Sequence, residues 1–234
     1  MIEYWVIPPD NDAEFVACME EVLEVYERPY DPKRPVVCMD EQPVQLLKET
    51  RLPIAGTREH PKRVDYEYER NGTASLFMFV EPLRGFRQTT ARAQRTKQDW
   101  ALEVAHFLDT CYADCEKITL VVDNLNTHTK GAFYEAFDAY EAFDASVARD
   151  YVKRIEFVYT PKHGSWLNVA ECELSSLTRQ CLTGRRIGEL DELTCEVAAW
   201  SSAINESQRG VDWQFEINEA RTKLKHLYPK IKTG

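Results

Sequence analysis

The sequence predicts an α/β fold in which a mixed five-stranded sheet is flanked by helices on both faces. Short apolar runs, typical of buried strands, alternate with longer segments whose apolar residues recur every three to four positions, as in helices. The first strand-like segments follow one another directly, which favours antiparallel pairs, whereas helical segments separate the later ones, which favours parallel pairs. With 234 residues, 44% of them hydrophobic, the chain can bury one sizeable core.

The N-terminal segment predicts a helix followed by a buried strand. Within residues 13–27, apolar side chains recur at helical spacing. These side chains are Phe15, Met19, Val22 and Tyr26. Three prolines then interrupt the chain before the apolar run 36–39, which ends at Asp40 and predicts a strand buried on both faces.

A hairpin is predicted next. Residues 64–70 alternate apolar and charged side chains, as a half-exposed strand does, and residues 74–80 supply a second apolar run. Between them lies Asn71-Gly72, a dipeptide typical of two-residue hairpin turns. We therefore expect residues 36–80 to form three successive antiparallel strands.

Helices and strands alternate over the rest of the chain. A capping-box pattern from Thr96 to Asp99 begins a helix, and a later strand ends at Asp123. After the helix that begins at Thr96, the sequence predicts a strand at 118–122 and a helix at 129–145 with Phe133, Phe137 and Tyr140 on one face. A strand at 155–159, a helix carrying Leu167 to Cys181, and a helix at 189–205 follow. The order β-β-β-α-β-α-β-α-α is that of the ribonuclease H-like fold.

Charge divides the chain into three predicted parts. Residues 1–31 hold nine acids and one arginine, so they carry most of the net charge of −10. We expect an acidic helical lead-in over residues 1–34, a ribonuclease H-like domain over 35–210 and a basic extension over 211–234. The acidic balance argues at first against a nucleic-acid partner. However, 84–98 and 221–232 contain only basic charges, which are either solvated surface or contacts to phosphate.

Other classes of protein are disfavoured. No run of about 18 apolar residues is present, so no membrane partner is expected. The N-terminus lacks the basic and apolar regions of a secretory signal. The seven cysteines are odd in number and lack paired metal-ligand spacing, which favours buried reduced thiols over a zinc site and predicts a cytoplasmic location.

Carboxylates at strand ends are the candidate chemistry. Asp40 and Asp123 each end an apolar strand, where ligands gather in sheets of this class, although such an aspartate can also simply cap a helix or start a turn. A glutamate early in a late helix would complete a three-carboxylate cluster. Such a cluster needs raised pKa values or a bound cation, and Mg²⁺ is the favoured ion. Two ions would suit an in-line phosphoryl displacement.

Helical spacing leaves the third carboxylate open. Glu171 and Glu173 lie about equally far from the centre of the apolar stripe of their helix, on opposite flanks. Asn168 is on the same side as Glu171, three residues earlier, which slightly favours Glu171.

Three sequence blocks resemble one known family. They are Val37-Cys-Met-Asp40-Glu-Gln, Val121-Val-Asp123-Asn-Leu-Asn-Thr-His128 and Tyr159-Thr-Pro-Lys-His-Gly-Ser-Trp-Leu-Asn168-Val-Ala-Glu171. They are similar to the signature blocks of bacterial insertion-sequence transposases of the mariner superfamily, which have a DDE endonuclease domain. The resemblance implies that Asp40, Asp123 and Glu171 are the metal-binding catalytic residues. It also implies that residues 35–210 are the catalytic domain, and that Mg²⁺, with Mn²⁺ as a substitute, is the cofactor.

The resemblance implies further roles around the triad. Asn124 and Asn168 would orient the metal ligands, and His128 would face the substrate or orient the metal ligands, the alternative being a histidine that starts a helix. The residues expected to contact DNA are Arg92, Arg95, Lys97, His128, Lys162 and His163. For Lys162 and His163, the alternative is a solvated loop.

The resemblance also predicts partners. Members of the transposase family cut transposon ends and join them to target DNA, so DNA is the expected substrate. Two copies of the chain are expected in the active complex. Complete members begin with helix-turn-helix modules, whereas Met1 is followed by an acidic helix. We therefore expect end recognition from a helix-turn-helix partner or an upstream frame. The alternatives are a non-catalytic remnant that binds DNA or a partner subunit, and a cellular ribonuclease H-like nuclease.

Overall fold

The computed structural model describes residues 12–138, 145–207 and 209–229. Its strands are β1 (Val36–Glu49), β2 (Tyr68–Glu81), β3 (Phe86–Arg92), β4 (Ile118–Val122) and β5 (Ile155–Tyr159). Its α-helices are α1 (Ala13–Tyr26), α2 (Lys97–Cys111), α3 (Lys130–Asp138), α4 (Ala145–Lys153), α5 (Val169–Leu177), α6 (Leu190–Glu206) and α7 (Ile217–Lys223).

The strands form one sheet in the order β3-β2-β1-β4-β5. β1 pairs antiparallel with β2, and β2 with β3, whereas β4 lies parallel to both β1 and β5. The predicted mixed five-stranded sheet is therefore confirmed. Its central strand, β1, has an antiparallel neighbour on one side and a parallel one on the other, which puts Asp40 in the middle of the sheet.

Each face of the sheet has its own core. Side chains alternate between faces along a strand, so Cys38 packs with α1, α5 and α6, whereas Val37 and Met39 pack with α2, α3 and α4. Helices thus cover both faces, as predicted. α1 buries Phe15 and Met19 within the first of these cores, so this helix of the acidic segment is packed on the sheet. The proposed boundaries at residues 34 and 210 stay predictions.

The predicted hairpin at Asn71-Gly72 is wrong. β2 runs through this dipeptide, and the register against β1 changes there: Gln45 is opposite Thr73, and Leu47 is opposite Arg70. β2 therefore carries one extra residue, a β-bulge, which the positive φ of Gly72 (88°) accommodates. An Asn-Gly pair is suited to either structure because both need positive φ, so the dipeptide alone does not choose between them.

The tight turn of this meander lies later, between β2 and β3. Gly85 has φ 70°, and its amide donates to Glu81 O at 3.0 Å. Sequence analysis missed β3 because its segment is basic and polar rather than apolar. Its arginines are matched by acids on neighbouring helices, so part of the basic stretch 84–98 is a structured strand rather than a free surface.

The helix predicted at 129–145 is described in part, as α3 up to Asp138, and α4 begins at Ala145; Tyr140 and the Phe137 side chain lie outside the described residues. Cys172 and Cys195 are exposed, so buried thiols were wrongly predicted there, although Cys38 and Cys181 are buried. Within the described residues, we find no helix long and apolar enough to cross a membrane.

Candidate active site

Asp40 lies in β1, and Asp123 directly follows the neighbouring parallel strand β4. Cys38 of β1 is in register with Val121 of β4, and each aspartate follows its partner by two residues. Adjacent strands are about 4.8 Å apart. Since a step of two residues along a strand keeps the same face, Asp40 is on the side of Cys38, on which α5 packs. The two parallel strands end at the same edge of the sheet, so the two aspartates lie near each other there.

The start of α5 is attached to β1 beside Asp40. Asn168 is the N-cap: its Oδ1 accepts from the amide of Ala170 at 3.1 Å, and its Nδ2 donates to Met39 O at 2.9 Å. Its side chain is buried, so both hydrogen bonds are shielded from water. This one side chain connects the residue before Asp40 to the first turn of α5, where Glu171 lies. A positioning role for Asn168, expected from the resemblance, has this geometric basis.

Glu171 and Glu173 lie in different environments. Glu173 Oε1 lies 2.7 Å from Nη2 of Arg87, whose side chain is 2% exposed. Arg87 also donates to Arg209 O at 2.6 Å. Glu173 is therefore half of a structural ion pair, whereas Glu171 is exposed and lines a cavity of about 430 Å³ together with Asp40. Helical spacing alone left this choice open because Arg87 lies 86 residues away in the chain.

The electrostatics of Asp40 reflect the cluster. Burial raises its pKa most, the amide of Glu41 lowers it by stabilising the carboxylate, and the negative charges of Asp123, Glu171 and Glu41 raise it; together they bring the pKa to about 7. That amide donates to Asp40 Oδ1 at 2.8 Å. The three carboxylates thus lie within electrostatic reach of one another. A positive charge among them would relieve the repulsion.

His128 does not lie where the sequence predicted a DNA contact. Its side chain is 0% exposed, and its two ring nitrogens face Asp123 Oδ1 at 2.6 Å and Glu41 Oε1 at 3.2 Å. It stacks on Trp100, with ring centroids 5.1 Å apart. Burial lowers the pKa of His128, but the hydrogen bonds and charges of the two carboxylates outweigh burial and raise it to about 9. A direct contact of this ring with DNA is incompatible with the structure; its place beside Asp123 fits the expected alternative of orienting a ligand.

Glu41 and Gln42 were not predicted as site residues. Glu41 lies on the opposite face of β1 from Asp40, and its buried side chain accepts from His128. Gln42 hydrogen-bonds Thr178 just beyond α5. No sequence signal separates these residues from other polar residues of β1, because their roles depend on partners from distant elements.

The donor chemistry fits a hard divalent cation. Carboxylate oxygens are the ligands that Mg²⁺ prefers. Asp123 Oδ1 is buried, and its partner in the protein is the His128 ring, whose Nδ1 lies 2.6 Å away. Across the described ranges, no group of three or more His, Cys, Asp or Glu side chains is already arranged around a single ion position. Ligation by all three carboxylates therefore requires their side chains to rotate toward one another.

The predicted DNA-contacting residues fall into two groups. Arg92 and Lys97 are engaged within the protein: Arg92 pairs with Glu103, and Lys97 Nζ lies 3.3 Å from Glu135. His128 is buried, and the remaining three have exposed side chains, as does Asn124 after β4. These exposed basic residues are Arg95, Lys162 and His163.

Solved structures share this fold. The chain is similar to the Mos1 mariner paired-end complex with Mn at 13% identity and a TM-score of 0.51, covering 89% of this chain and 62% of that chain. The Mos1 paired-end complex with Mg gives 12% identity and a TM-score of 0.55 over 98% and 67% of the two chains. The Mos1 strand transfer complex gives 11% identity, a TM-score of 0.51 and coverage of 89% and 61%. The predicted ribonuclease H-like fold is thereby confirmed, and the chain spans about three fifths of the first of these structures.

The sequence itself identifies the family. No curated protein sequence matches the chain. The profile of the DDE superfamily endonucleases, however, matches residues 35–194, which include Asp40, Asp123 and Glu171. The chain therefore belongs to the DDE superfamily endonucleases.

Proposed function

We propose that this chain is the catalytic domain of a DNA transposase, which cleaves transposon ends and transfers the strands to target DNA. One observation carries the proposal: Asp40 lies in β1, Asp123 directly follows the neighbouring parallel strand β4, and Glu171 lies in the first turn of the helix fixed beside Asp40. Membership of the endonuclease family supports it. The similar Mos1 structures are named as paired-end and strand transfer complexes, which supports transposon ends and target DNA as substrates.

We further propose that Asp40, Asp123 and Glu171 hold two divalent cations, Mg²⁺ or Mn²⁺. The carboxylate donors, the mutual repulsion that raises the pKa of Asp40, and the Mn and Mg named for the Mos1 complexes support this. When bound, such ions would supply the positive charge that activates a water or 3′-hydroxyl and stabilises the leaving oxygen.

The protein's own groups would position the reactants. Asn168 fixes the first turn of α5 against β1, which keeps Glu171 over the strand ends. His128 holds the Asp123 carboxylate at the level of Asp40 while its other nitrogen faces Glu41. Because these groups are buried, water and thermal motion disturb their geometry little. They would orient the carboxylates before DNA arrives.

Backbone contacts with DNA would come first from the exposed cations. Arg95, Lys162 and His163 are available, whereas Arg92 and Lys97 would have to exchange a carboxylate partner for a phosphate. We also propose that two copies of the chain act together and that a helix-turn-helix partner or upstream segment recognises the ends. The predicted cytoplasmic location rests on this function, since the enzyme must reach DNA.

The direct test is nicking of supercoiled plasmid, and joining of a labelled oligonucleotide to it, with Mg²⁺ or Mn²⁺. We expect the wild type to do both and Asp123→Asn to do neither, whereas Asp114→Asn, in an exposed turn after α2, keeps full activity. Nicking that survives Asp123→Asn would overturn the proposal. DNA binding without nicking would favour a non-catalytic remnant, and nicking without joining would favour a cellular nuclease.

A further inference from the structure

The cavity beside Asp40 and Glu171 has charges of opposite sign on its walls. Two acidic side chains, those of Asp40 and Glu171, contribute to the lining, whereas the carboxylate of Glu41 is buried against His128. Among the described residues that line it, Arg179 is the one with a positive charge. At about 430 Å³, the cavity has room for a phosphodiester group between the acids and the arginine. A phosphate there would meet the guanidinium on one side and cations held by the carboxylates on the other.

The backbone around Arg179 departs from a regular helix. After α5, residues Thr178–Leu182 form a π-helical turn, closed by the hydrogen bond from the amide of Thr183 to Thr178 O at 2.8 Å. Such single turns occur frequently at functional sites. Gln42 Nε2 donates to Thr178 Oγ1 at 3.0 Å, so β1 fixes this turn two residues beyond Asp40. The position of Arg179 is thereby coupled to that of the carboxylates.

Arg179 has no carboxylate partner among the described residues, although its neighbours do. Its side chain is exposed and makes one long contact, 3.5 Å from Nη2 to Ser176 Oγ. By contrast, Arg185 lies 2.6 Å from Glu196, and Arg186 lies 2.6 Å from Glu49. A guanidinium without an acid partner retains the paired N–H donors that match two oxygens of one phosphate.

We propose that Arg179 binds a backbone phosphate of the DNA strand that enters the carboxylate site, and so fixes where along the strand the reaction occurs. This inference rests on the proposed function and names a binding residue for it. Ser175 and Thr178 line the cavity beside the arginine. Their hydroxyls contribute neutral donors, whereas Arg179 contributes the charge that attracts the strand.

The test compares Arg179→Ala and Arg179→Lys with the control Arg185→Ala, in the full chain. Binding of a fluorescent 30-base-pair duplex is measured by anisotropy over a range of KCl concentrations in CaCl₂. Removing one phosphate contact should weaken binding about fivefold or more and lower the slope of log K against log salt by about 0.9. Arg179→Lys should keep the slope but lose part of the affinity, since lysine keeps the charge without the paired donors. The control should match the wild type.

The inference is overturned if Arg179→Ala binds like the wild type, if Arg185→Ala weakens binding equally, or if the wild type does not bind the duplex. Parallel plasmid nicking with Mn²⁺ separates this result from the proposed function. A wild type that binds through Arg179 but never nicks would refute the function and leave the phosphate contact standing. Nicking that is equally strong in the wild type and Arg179→Ala, with unchanged binding, would refute only the contact.

Discussion

The burial of Asp40 predicts a pH-dependent gain in stability when its charge is removed. Its carboxyl is buried beside two other carboxylates, which raises its pKa from 3.8 to about 7. The folded protein therefore holds this proton more tightly than the unfolded chain does. Stability is then lost as pH rises from about 4 through 7, and the loss is complete above that range. Asp40→Asn has no such titration, and its Oδ1 can still accept from the amide of Glu41.

The size of the effect follows from the two pKa values. A change from 3.8 to about 7 corresponds to at most about 4 kcal/mol, with less than half of it present at pH 5. We expect metal-free Asp40→Asn to exceed the wild type in free energy of unfolding by about 2–4 kcal/mol at pH 8. Urea denaturation at pH 5 and pH 8 measures this difference, with the exposed Asp114→Asn as the matched control.

Added Mn²⁺ should offset most of this difference in stability. A ligand at about 100 times its dissociation constant stabilises the folded state by about 2.7 kcal/mol, which the wild type should gain at pH 8 and Asp40→Asn should not. The reasoning is refuted if Asp40→Asn is no more stable than the wild type at pH 8 without metal. It is also refuted if the difference between them is the same at pH 5 and pH 8.

Three further outcomes are expected. Arg87→Met leaves the Glu173 charge buried without a partner and should lower the free energy of unfolding in urea by about 3–5 kcal/mol. The double variant with Glu173→Met should recover most of that loss, and an equal loss in the single and double variants would contradict a buried pair. Asn168→Ala removes a helix cap and a buried donor, so it should lower the free energy of unfolding by about 2 kcal/mol and reduce DNA nicking. Unchanged nicking would contradict a role of Asn168 in positioning Glu171. Because its two carboxylate partners outweigh burial, the His128 ring should titrate by NMR near pH 9, and a midpoint near 6.5 would contradict these contacts.

The parts of the fold that periodicity encodes were predictable. The apolar runs before Asp40 and Asp123 each have one structural solution, a strand buried on both faces, because both sheet faces are covered by helices. The capping box at Thr96 was equally clear, since its hydrogen bonds with Asp99 are local. In these segments, the sequence neighbours of a residue determine its environment.

The prediction errors arose where residues distant in the sequence determine the environment of a side chain. β3 is polar because its side chains pair with α2, α5 and α6, which no local window contains. The choice between Glu171 and Glu173 depended on Arg87, and the burial of His128 depended on Glu41 from β1. Family resemblance supplied Glu171 before the geometry was known. The ion pair of Glu173 with Arg87 supports that choice, which stays a prediction.

The most direct test of the central claim is a Mn²⁺ titration of the full chain, followed by electron paramagnetic resonance of the free ion. Asp40→Asn, Asp123→Asn and Glu171→Gln are compared one at a time with the wild type, and Glu206→Gln, exposed at the end of α6, is the control. If the three carboxylates jointly hold divalent cations, the wild type and the control bind Mn²⁺ saturably, and each of the three variants binds at least about tenfold more weakly. Wild-type affinity in any one of the three would contradict the shared site.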